Sequence, residues 1–352
     1  MNFEPLSPLP LLTGDLPGIA GRIKTHPEDF EVEEIPAYQP CGTGEHLFLW
    51  VEKRSLGAEY FLRQLARRLN LAPGLIGTAG LKDRHAVTRQ YVSVPVSAES
   101  DLSRLDGEGI RVLSVSRHTN KLKSGHLRGN RFRILLRDVE PSAADRLPPL
   151  LERIRSHGLI NFYGSQRFGR EGETLHIGQN LLAGKASGRL SPFLRRLALS
   201  AVQSALFNHV VAVRFRDGLL RRILTGDVMG KWPTGGLFVA TDVAREQQRF
   251  EARETVITGP MFGARMFPAA AEAAEREQAA LREAGLQLSS FAGFCKLLPG
   301  TRRYALVYVD DLRAQIEPEG VRLEFSLPAG SYATILIREL THSESQESEQ
   351  DE

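Results

Sequence analysis

Residues 77–90 read GTAGLKDRHAVTRQ and combine two glycines with one isolated acid. That acid, Asp83, lies among Lys82, Arg84 and Arg89, and no second acid follows for fifteen residues. Glycines before the acid suit a close approach of the backbone to a ligand or to another strand. By composition alone, Asp83 is a surface ion-pair partner, a cap for a helix or turn, or an active-site carboxylate.

The length and composition of the chain limit the classes of protein to which it can belong. A chain of 352 residues is long for one domain and comfortable for two. Cys41 and Cys295 match no metal or redox spacing, which favours a reducing compartment. Residues 1–17 lack a basic stretch followed by an apolar one, and no run of eighteen apolar residues occurs. We therefore expect a soluble, cytoplasmic protein without membrane contact.

Charge is unevenly distributed along the chain. The net charge is +3, but residues 342–352 hold five acids and no Lys or Arg. Removing these five from 42 acids leaves 37 against 45 Lys and Arg, a charge of +8. A basic body with an acidic, disordered tail suggests a polyanionic partner.

Hydrophobic periodicity predicts strands near both ends of the chain and a mixed middle. Alternating or apolar runs favour strands near residues 30–33, 47–53, 92–96, 131–136 and 321–327. Helices are predicted after a Ser55 cap, from Ser142 with an interruption at Pro148 and Pro149, and from Pro192 to about Arg216. We predict one sheet domain built from both ends of the chain, with the middle inserted into it.

The most basic run of the sequence, residues 117–133, contains six Lys or Arg and two His but no acid. It leads into a strand with Phe132 on one face and Arg131 and Arg133 on the other. A solvated loop is one interpretation. Basic and aromatic side chains on a strand edge also form the kind of surface that binds single-stranded or splayed RNA.

Five motifs occur in order along the chain: KTHPEDFEVEE at 24–34, GLKDRHAVTRQ at 80–90, GNRF at 129–132, NFYGSQRFG at 161–169 and LPAGSYAT at 327–334. Together they resemble the motifs of the TruD family of tRNA pseudouridine synthases. A lone Lys-Asp-Arg carries no information, whereas five motifs in the family's order from about residue 20 to residue 340 are specific.

The resemblance implies an α+β protein with two domains. Residues 1–157 and 305–341 would form a pseudouridine synthase catalytic domain with a mixed, largely antiparallel sheet. Residues 158–304 would form an inserted α/β domain of the TRUD type, followed by the acidic tail at 342–352. The implied activity is isomerisation of the uridine at position 13, in the D-arm of certain tRNAs, without cofactor or metal. The partner would be tRNA, bound by a monomer without an obligate protein partner.

The resemblance also implies roles for individual residues. Asp83 falls on the family's catalytic aspartate, and Phe30, Asn130 and Phe325 fall on substrate-contacting positions. Lys24 and Phe132 are expected in the same pocket. Phe325 also alternates as a core residue does, so burial alone is a competing interpretation for it.

The chemistry requires these residue types independently of the resemblance. Pseudouridine forms when the C1′–N1 bond breaks, the uracil turns, and C5 joins C1′. An ionised carboxylate can attack C1′, attack C6 of the ring or remove a proton at C2′, and the sequence leaves these three roles of Asp83 open. Aromatic rings can stack on a flipped base, an amide such as Asn130 can bind the uracil edge, and Lys24 would keep Asp83 ionised and oriented.

Two other function classes remain at this point. An RNA-binding protein without catalysis would tolerate Asp83→Asn, which keeps the shape and removes the charge. A hydrolase of the same glycosidic bond would release uracil and would need a second carboxylate to activate water. No such acid lies near Asp83 in sequence.

Overall fold

The computed structural model describes residues 8–80, 82–185, 189–233 and 235–343. The acidic tail beyond residue 343 therefore lies outside the described residues. By their internal contacts the residues form two compact units. Unit 1 comprises residues 8–14, 158–308 and 334–336, and unit 2 comprises 15–157, 309–333 and 337–343. That the middle segment acts as a family-specific inserted domain stays a prediction.

The strands, in chain order, are β1 (Phe30–Pro36), β2 (His46–Arg54), β3 (Gly77–Thr78), β4 (Val87–Pro95), β5 (Ile110–His118), β6 (Leu127–Leu136), β7 (Leu159–Ile160), β8 (Val228–Lys231), β9 (Leu237–Val239), β10 (Thr255–Met261), β11 (Thr301–Tyr304), β12 (Leu306–Val307), β13 (Arg313–Glu317) and β14 (Gly320–Pro328). The helices are α1 (Ala58–Arg68), α2 (Ala143–His157), α3 (Glu173–Leu182), α4 (Pro192–Arg216), α5 (Val243–Glu251), α6 (Ala271–Glu283) and α7 (Ala333–Thr341).

Unit 2 is built on one eight-stranded sheet. Its strand order is β13-β14-β6-β1-β4-β2-β5, with β3 paired to β4. Among the described strands of this sheet, β1 and β4 pair in parallel and the other pairs are antiparallel. The predicted α+β class with a mixed, largely antiparallel sheet is confirmed. The basic and aromatic side chains of residues 131–133 were predicted to lie on a strand edge. This prediction is wrong, because their strand, β6, lies inside the sheet between β14 and β1.

One face of this sheet carries Phe132, Phe325 and Asn130 in two neighbouring rows, and Phe30 lies in the row beside them, opposite Ile134. In the first row, strand register aligns Val32 with Phe132 and Phe132 with Phe325. In the next row it aligns Glu34 with Asn130. Because side chains alternate between faces along a strand, all of these lie on one side of the sheet.

The opposite face carries a ladder of ion pairs. Arg133 contacts Glu31 and Glu324 at 3.6 and 3.4 Å, and Arg131 lies 3.6 Å from Glu33. The two arginines of β6 thus pair with acids on the side of the sheet away from Phe132. They do not join Phe132 in a single RNA-binding surface.

Two local predictions for helices need correction. Helix α1 is capped by Gly57 rather than by Ser55, because β2 extends to Arg54 and Ser55 takes a left-handed turn with φ of 56°. Helix α2 continues through Pro148 and Pro149. Its buried leucines and isoleucine offset the two hydrogen bonds that the prolines cannot donate.

Unit 1 contains a four-stranded sheet of order β11-β10-β8-β9 and a short β7–β12 pair. Its core gathers around α4, which begins at the predicted Pro192, after a Ser191 cap. Helix α4 has the length and mean hydropathy of a membrane-spanning helix, but 72% of its most apolar window is buried inside the protein. This burial is typical of the central helix of a folded core.

Candidate active site

Asp83 and Lys24 form the ion pair at the entrance of the candidate site in unit 2. Lys24 Nζ lies 3.3 Å from Asp83 Oδ2, and 47% of the Asp83 side chain remains exposed. The Lys24 side chain is 8% exposed, and its ammonium lies 4.9 Å from the centroid of the Phe30 ring. The carboxylate is therefore oriented by a buried cation while it remains accessible to a ligand.

The turn that carries Lys24 is held in a strained conformation. Lys24 has a φ of 60°, which is uncommon for a residue with a β-carbon. Five residues later, the Asp29 carboxylate accepts two 2.8 Å hydrogen bonds from Arg137 and one from the backbone N–H of His26. Burial alone would raise the pKa of Asp29, but these donors hold it below its usual range.

Lys53 anchors the loop that carries Asp83. Its buried ammonium donates to the backbone carbonyls of Leu56 at 2.5 Å, Asp83 at 2.8 Å and Lys82 at 3.4 Å. Burial lowers the pKa of Lys53 to about 8, although the Asp83 carboxylate acts in the opposite direction. A cation that joins the end of β2 to the loop of Asp83 fixes the backbone from which Asp83 projects.

Lys82, Glu34 and Asn130 form a second buried polar group beside that loop. Lys82 Nζ donates to Asn130 Oδ1 at 2.6 Å and lies 3.3 Å from Glu34 Oε2. Because an ammonium donates and never accepts, the oxygen of Asn130 faces Lys82 and its NH₂ group is directed away. The Asn130 side chain thus keeps its NH₂ donor for a partner other than Lys82.

The Glu34–Lys82 pair lies almost entirely out of solvent. The Glu34 side chain is fully buried, and neither of its carboxylate oxygens makes a well-aligned hydrogen bond within the described residues. Burial raises the pKa of Glu34 and lowers that of Lys82, while their mutual attraction opposes both shifts. Glu34 therefore has no exposed surface from which to activate a water molecule.

Three phenylalanines lie next to these polar groups. The rings of Phe132 and Phe325 stack with centroids 5.3 Å apart, and Phe30 meets Phe132 edge-on at 6.2 Å. All three are buried. They form an apolar wall that can exclude water from a reacting nucleoside. Phe30 and Phe325, at 2% and 1% exposed, present little ring surface to a ligand in this structure, which agrees with the core interpretation of Phe325.

The structure thus brings all six predicted residues into one linked group. Lys24 contacts both Asp83 and Phe30. Phe30 contacts Phe132, which stacks on Phe325. Asn130 accepts a hydrogen bond from Lys82, the residue before Asp83. Sequence reasoning gave no role to Lys53, Lys82, Glu34 or Asp29. Asp29, Glu34 and Lys82 lie inside the motifs of the resemblance, which could have pointed to them. The residues around Lys53 in sequence give no indication of its role.

The described part of the chain contains no group of three His, Cys, Asp or Glu side chains arranged to hold a metal ion. Charge in the site is instead supplied by three lysines and two carboxylates. This set can orient a carboxylate and donate hydrogen bonds to a ligand.

Comparison with known proteins assigns the chain to a family. The family model described as "tRNA pseudouridine synthase D (TruD)" matches residues 9–189 and 183–340. The chain belongs to the TruD family. As a member of this family it is an isomerase, the enzyme class that the motifs predicted. The roles of individual residues, including Asp83, stay predictions.

Relatives within the TruD family match over nearly the full length. "tRNA pseudouridine synthase D" from Anaeromyxobacter dehalogenans (strain 2CP-C) is 44% identical over 351 residues, which covers 98% of this chain and all of the relative. A same-named protein of Thermus thermophilus is 42% identical over 332 residues, covering 94% of this chain and 91% of the relative.

A solved structure shows the same fold. The crystal structure described as the putative tRNA pseudouridine synthase D (TruD) from Methanosarcina mazei superposes with a TM-score of 0.77. It covers 96% of this chain and 97% of its own, at 24% sequence identity.

Proposed function

We propose that this protein converts one uridine of tRNA to pseudouridine, at position 13 in the D-arm, with Asp83 as the catalytic residue. The observation that carries the proposal is the half-exposed Asp83 carboxylate paired with the buried Lys24, next to a wall of three phenylalanines. The family membership and the names of its relatives support tRNA as the substrate.

The target uridine must leave the RNA stack before it reaches Asp83. Flipping a nucleotide out costs about a few kcal/mol, and stacking on an aromatic ring returns roughly 1–3 kcal/mol per base. We propose that the incoming base packs against Phe132, with Phe30 and Phe325 behind it, since these two rings are 2% and 1% exposed. Their burial also keeps water from hydrolysing the cleaved intermediate.

Asp83 acts at the sugar or at the base in one of three ways. It attacks C1′ and displaces the uracil, or it adds to C6 of the ring before the C1′–N1 bond breaks, or it removes the C2′ proton so that this bond breaks. In each route C5 then bonds to C1′ and loses its proton. The bond from Asp83 to C1′ or C6 breaks again in the first two routes, and in the third the proton returns to C2′. Lys24 keeps the carboxylate ionised and aimed at the nucleotide.

Asn130 stabilises charge on the detached uracil. When the C1′–N1 bond breaks with its electron pair on the base, negative charge spreads to the carbonyl oxygens of the uracil. The NH₂ group of Asn130, directed outward by Lys82, donates to such an oxygen. The reaction moves no electron and no phosphoryl group, so we propose that it needs no cofactor.

The rest of the chain would serve substrate selection. We propose that residues 158–304 form the inserted domain that distinguishes tRNAs, and that the enzyme acts as a cytoplasmic monomer without an obligate protein partner. The hydrolase alternative is disfavoured because Glu34, the acid paired with the neighbouring Lys82, is fully buried.

The test is nucleoside mapping of tRNA transcripts after incubation with the purified protein. We expect pseudouridine at position 13 and an unchanged uridine count elsewhere, with no free uracil. Pseudouridine at another position would contradict the proposed site, and released uracil would favour the hydrolase.

A further inference from the structure

An open pocket in unit 2, separate from the Phe30–Phe132–Phe325 wall, collects three histidines. We call it the histidine pocket and define it by His46, His118, His126, Lys121, Lys123 and Tyr38. Its volume is about 730 Å³, and no Asp or Glu lines it. It lies where β1 ends, β2 begins and β5 passes into β6, so it contains part of the basic run noted in the sequence.

The rings of this pocket are held in place by one another. The Tyr38 hydroxyl and His126 Nδ1 are hydrogen-bonded at 2.7 Å, and the Tyr38 ring stacks on His118 at 5.1 Å. His118 also contacts Phe48, with ring centroids 4.7 Å apart. The aromatic packing presets the imidazoles before any ligand arrives.

One of these imidazoles has a fixed hydrogen-bonding role. His118 Nδ1 accepts a 3.2 Å hydrogen bond from the backbone N–H of Cys41. The neutral ring must then carry its proton on Nε2, so His118 offers an N–H donor from that atom. His46 lies directly across from His118 in the β2–β5 register and adds a second imidazole to the same side of the sheet.

The pocket offers hydrogen-bond donors and positive charge without a carboxylate to compete for them. Lys123 is exposed, and Lys121 donates to the carbonyl of Gly74 at the rim. By contrast, the neighbouring Arg117 pairs with Glu99 at 2.7 Å. A ligand with several acceptor oxygens and negative charge, namely a phosphodiester, matches this lining.

The pocket is tied directly to the loop that carries Asp83. The β5–β6 connection, which bears Lys121, Lys123 and His126, hydrogen-bonds through Gly125 N–H to the carbonyl of Ala79 at 2.8 Å. Ala79 also packs with Leu122 and Phe48 in a small apolar cluster. The histidine pocket and the segment that leads into Asp83 are therefore in direct contact.

We propose that the histidine pocket binds a backbone phosphate of the tRNA strand that carries the target uridine. The inference rests on the proposed function, because the ligand is the phosphodiester of that substrate. The pocket adds affinity and fixes the direction in which the strand enters the site.

The test compares the double variant Lys123→Gln/His118→Gln with the control Arg117→Gln. The control removes one positive charge on the opposite face of the same strand, one residue from His118. For the double variant we expect the Kd for tRNA to rise about tenfold. The slope of log Kd against log salt concentration should fall by about one, the change expected when one phosphate contact is lost. In turnover assays the double variant should differ from wild type mainly in KM. The control Arg117→Gln should keep a Kd within twofold of wild type, roughly the scatter expected of a surface substitution.

A second measurement removes the charge from the RNA instead of from the protein. In a series of transcripts, a single neutral methylphosphonate replaces each phosphodiester beside the target uridine in turn. Replacement at one of these linkages should weaken binding to the wild type. The double variant should be insensitive at that same linkage, which a folding defect cannot imitate. Equal sensitivity of both proteins at every linkage, or equal losses for the double variant and Arg117→Gln, would overturn the proposal. Absence of pseudouridine with wild type would instead contradict the proposed function.

Discussion

The ammonium of Lys53 lies 2.8 Å from the backbone carbonyl oxygen of Asp83, thirty residues away in sequence. The same nitrogen reaches the carbonyls of Leu56 and Lys82. A buried lysine therefore holds the backbone of the candidate catalytic residue, whereas Lys24 holds its side chain. Position and orientation of the carboxylate are set by two different cations.

Lys53→Met should slow the reaction more than it weakens RNA binding. The substitution keeps an unbranched side chain one atom shorter but leaves three carbonyls without their common donor. A displacement of about 1 Å in a reacting group lowers rates about 100-fold. Single-turnover rates at saturating tRNA measure this loss, with tRNA Kd as the control. Wild-type turnover by a folded Lys53→Met protein would refute the anchoring role.

The same substitution should alter how stability depends on pH. The pKa of Lys53 falls from its ordinary 10.5 to about 8 on folding because the ammonium is buried. Between these values the unfolded chain binds more protons, so the free energy of unfolding rises with pH. This contribution is complete above pH 10.5 and is lost as the pH falls through about 8.

Urea unfolding of wild type and Lys53→Met from pH 7 to pH 10 measures the contribution. The stability of the wild type relative to the variant should increase over this range, by up to roughly 3 kcal/mol. Parallel curves for the two proteins would show that Lys53 keeps its ordinary pKa in the fold.

Asn130→Asp should reduce catalysis while it preserves the shape of the site. The new carboxylate would pair with Lys82, but it has no N–H to offer the uracil. We expect kcat/KM to fall about 100-fold, the equivalent of one charge-assisted hydrogen bond in a buried site. Thermal unfolding serves as the control for folding. Full activity of Asn130→Asp would rule out donation from this side chain.

Asp29→Asn should destabilise the turn that carries Lys24. The substitution removes the charge that accepts two hydrogen bonds from Arg137, at a cost of about 2 kcal/mol in the free energy of unfolding. Because the pKa of Asp29 is lowered from 3.8, its contribution is present above that pH and is lost as the pH falls through the lowered value. The difference in the free energy of unfolding between wild type and Asp29→Asn should be smaller at pH 3 than at pH 7, and a constant difference would contradict this assignment.

The strands and the site were predictable to different extents. Alternation located β1, β6 and β14 because one side of each strand is buried in the sheet, and the ordered motifs identified the family. The predicted Ser55 cap was wrong because the preceding strand, β2, runs on to Arg54 and leaves Ser55 in a turn.

The role of Lys53 could not be read from its neighbours in sequence. It follows an apolar run and resembles the exposed end of a strand, yet it is 1% exposed. Its burial depends on a loop thirty residues later that folds over it, and no local pattern encodes that contact. The same holds for the orientation of Asn130, which Lys82 sets from another segment.

The central claim, that Asp83 performs the isomerisation, is tested most directly by nucleoside mapping with Asp83→Asn beside wild type. Both proteins should bind the tRNA transcript with similar Kd, because the substitution keeps the shape of the side chain. We predict pseudouridine in the D-arm with wild type and none with Asp83→Asn. Pseudouridine formed by Asp83→Asn at the wild-type rate would contradict the account.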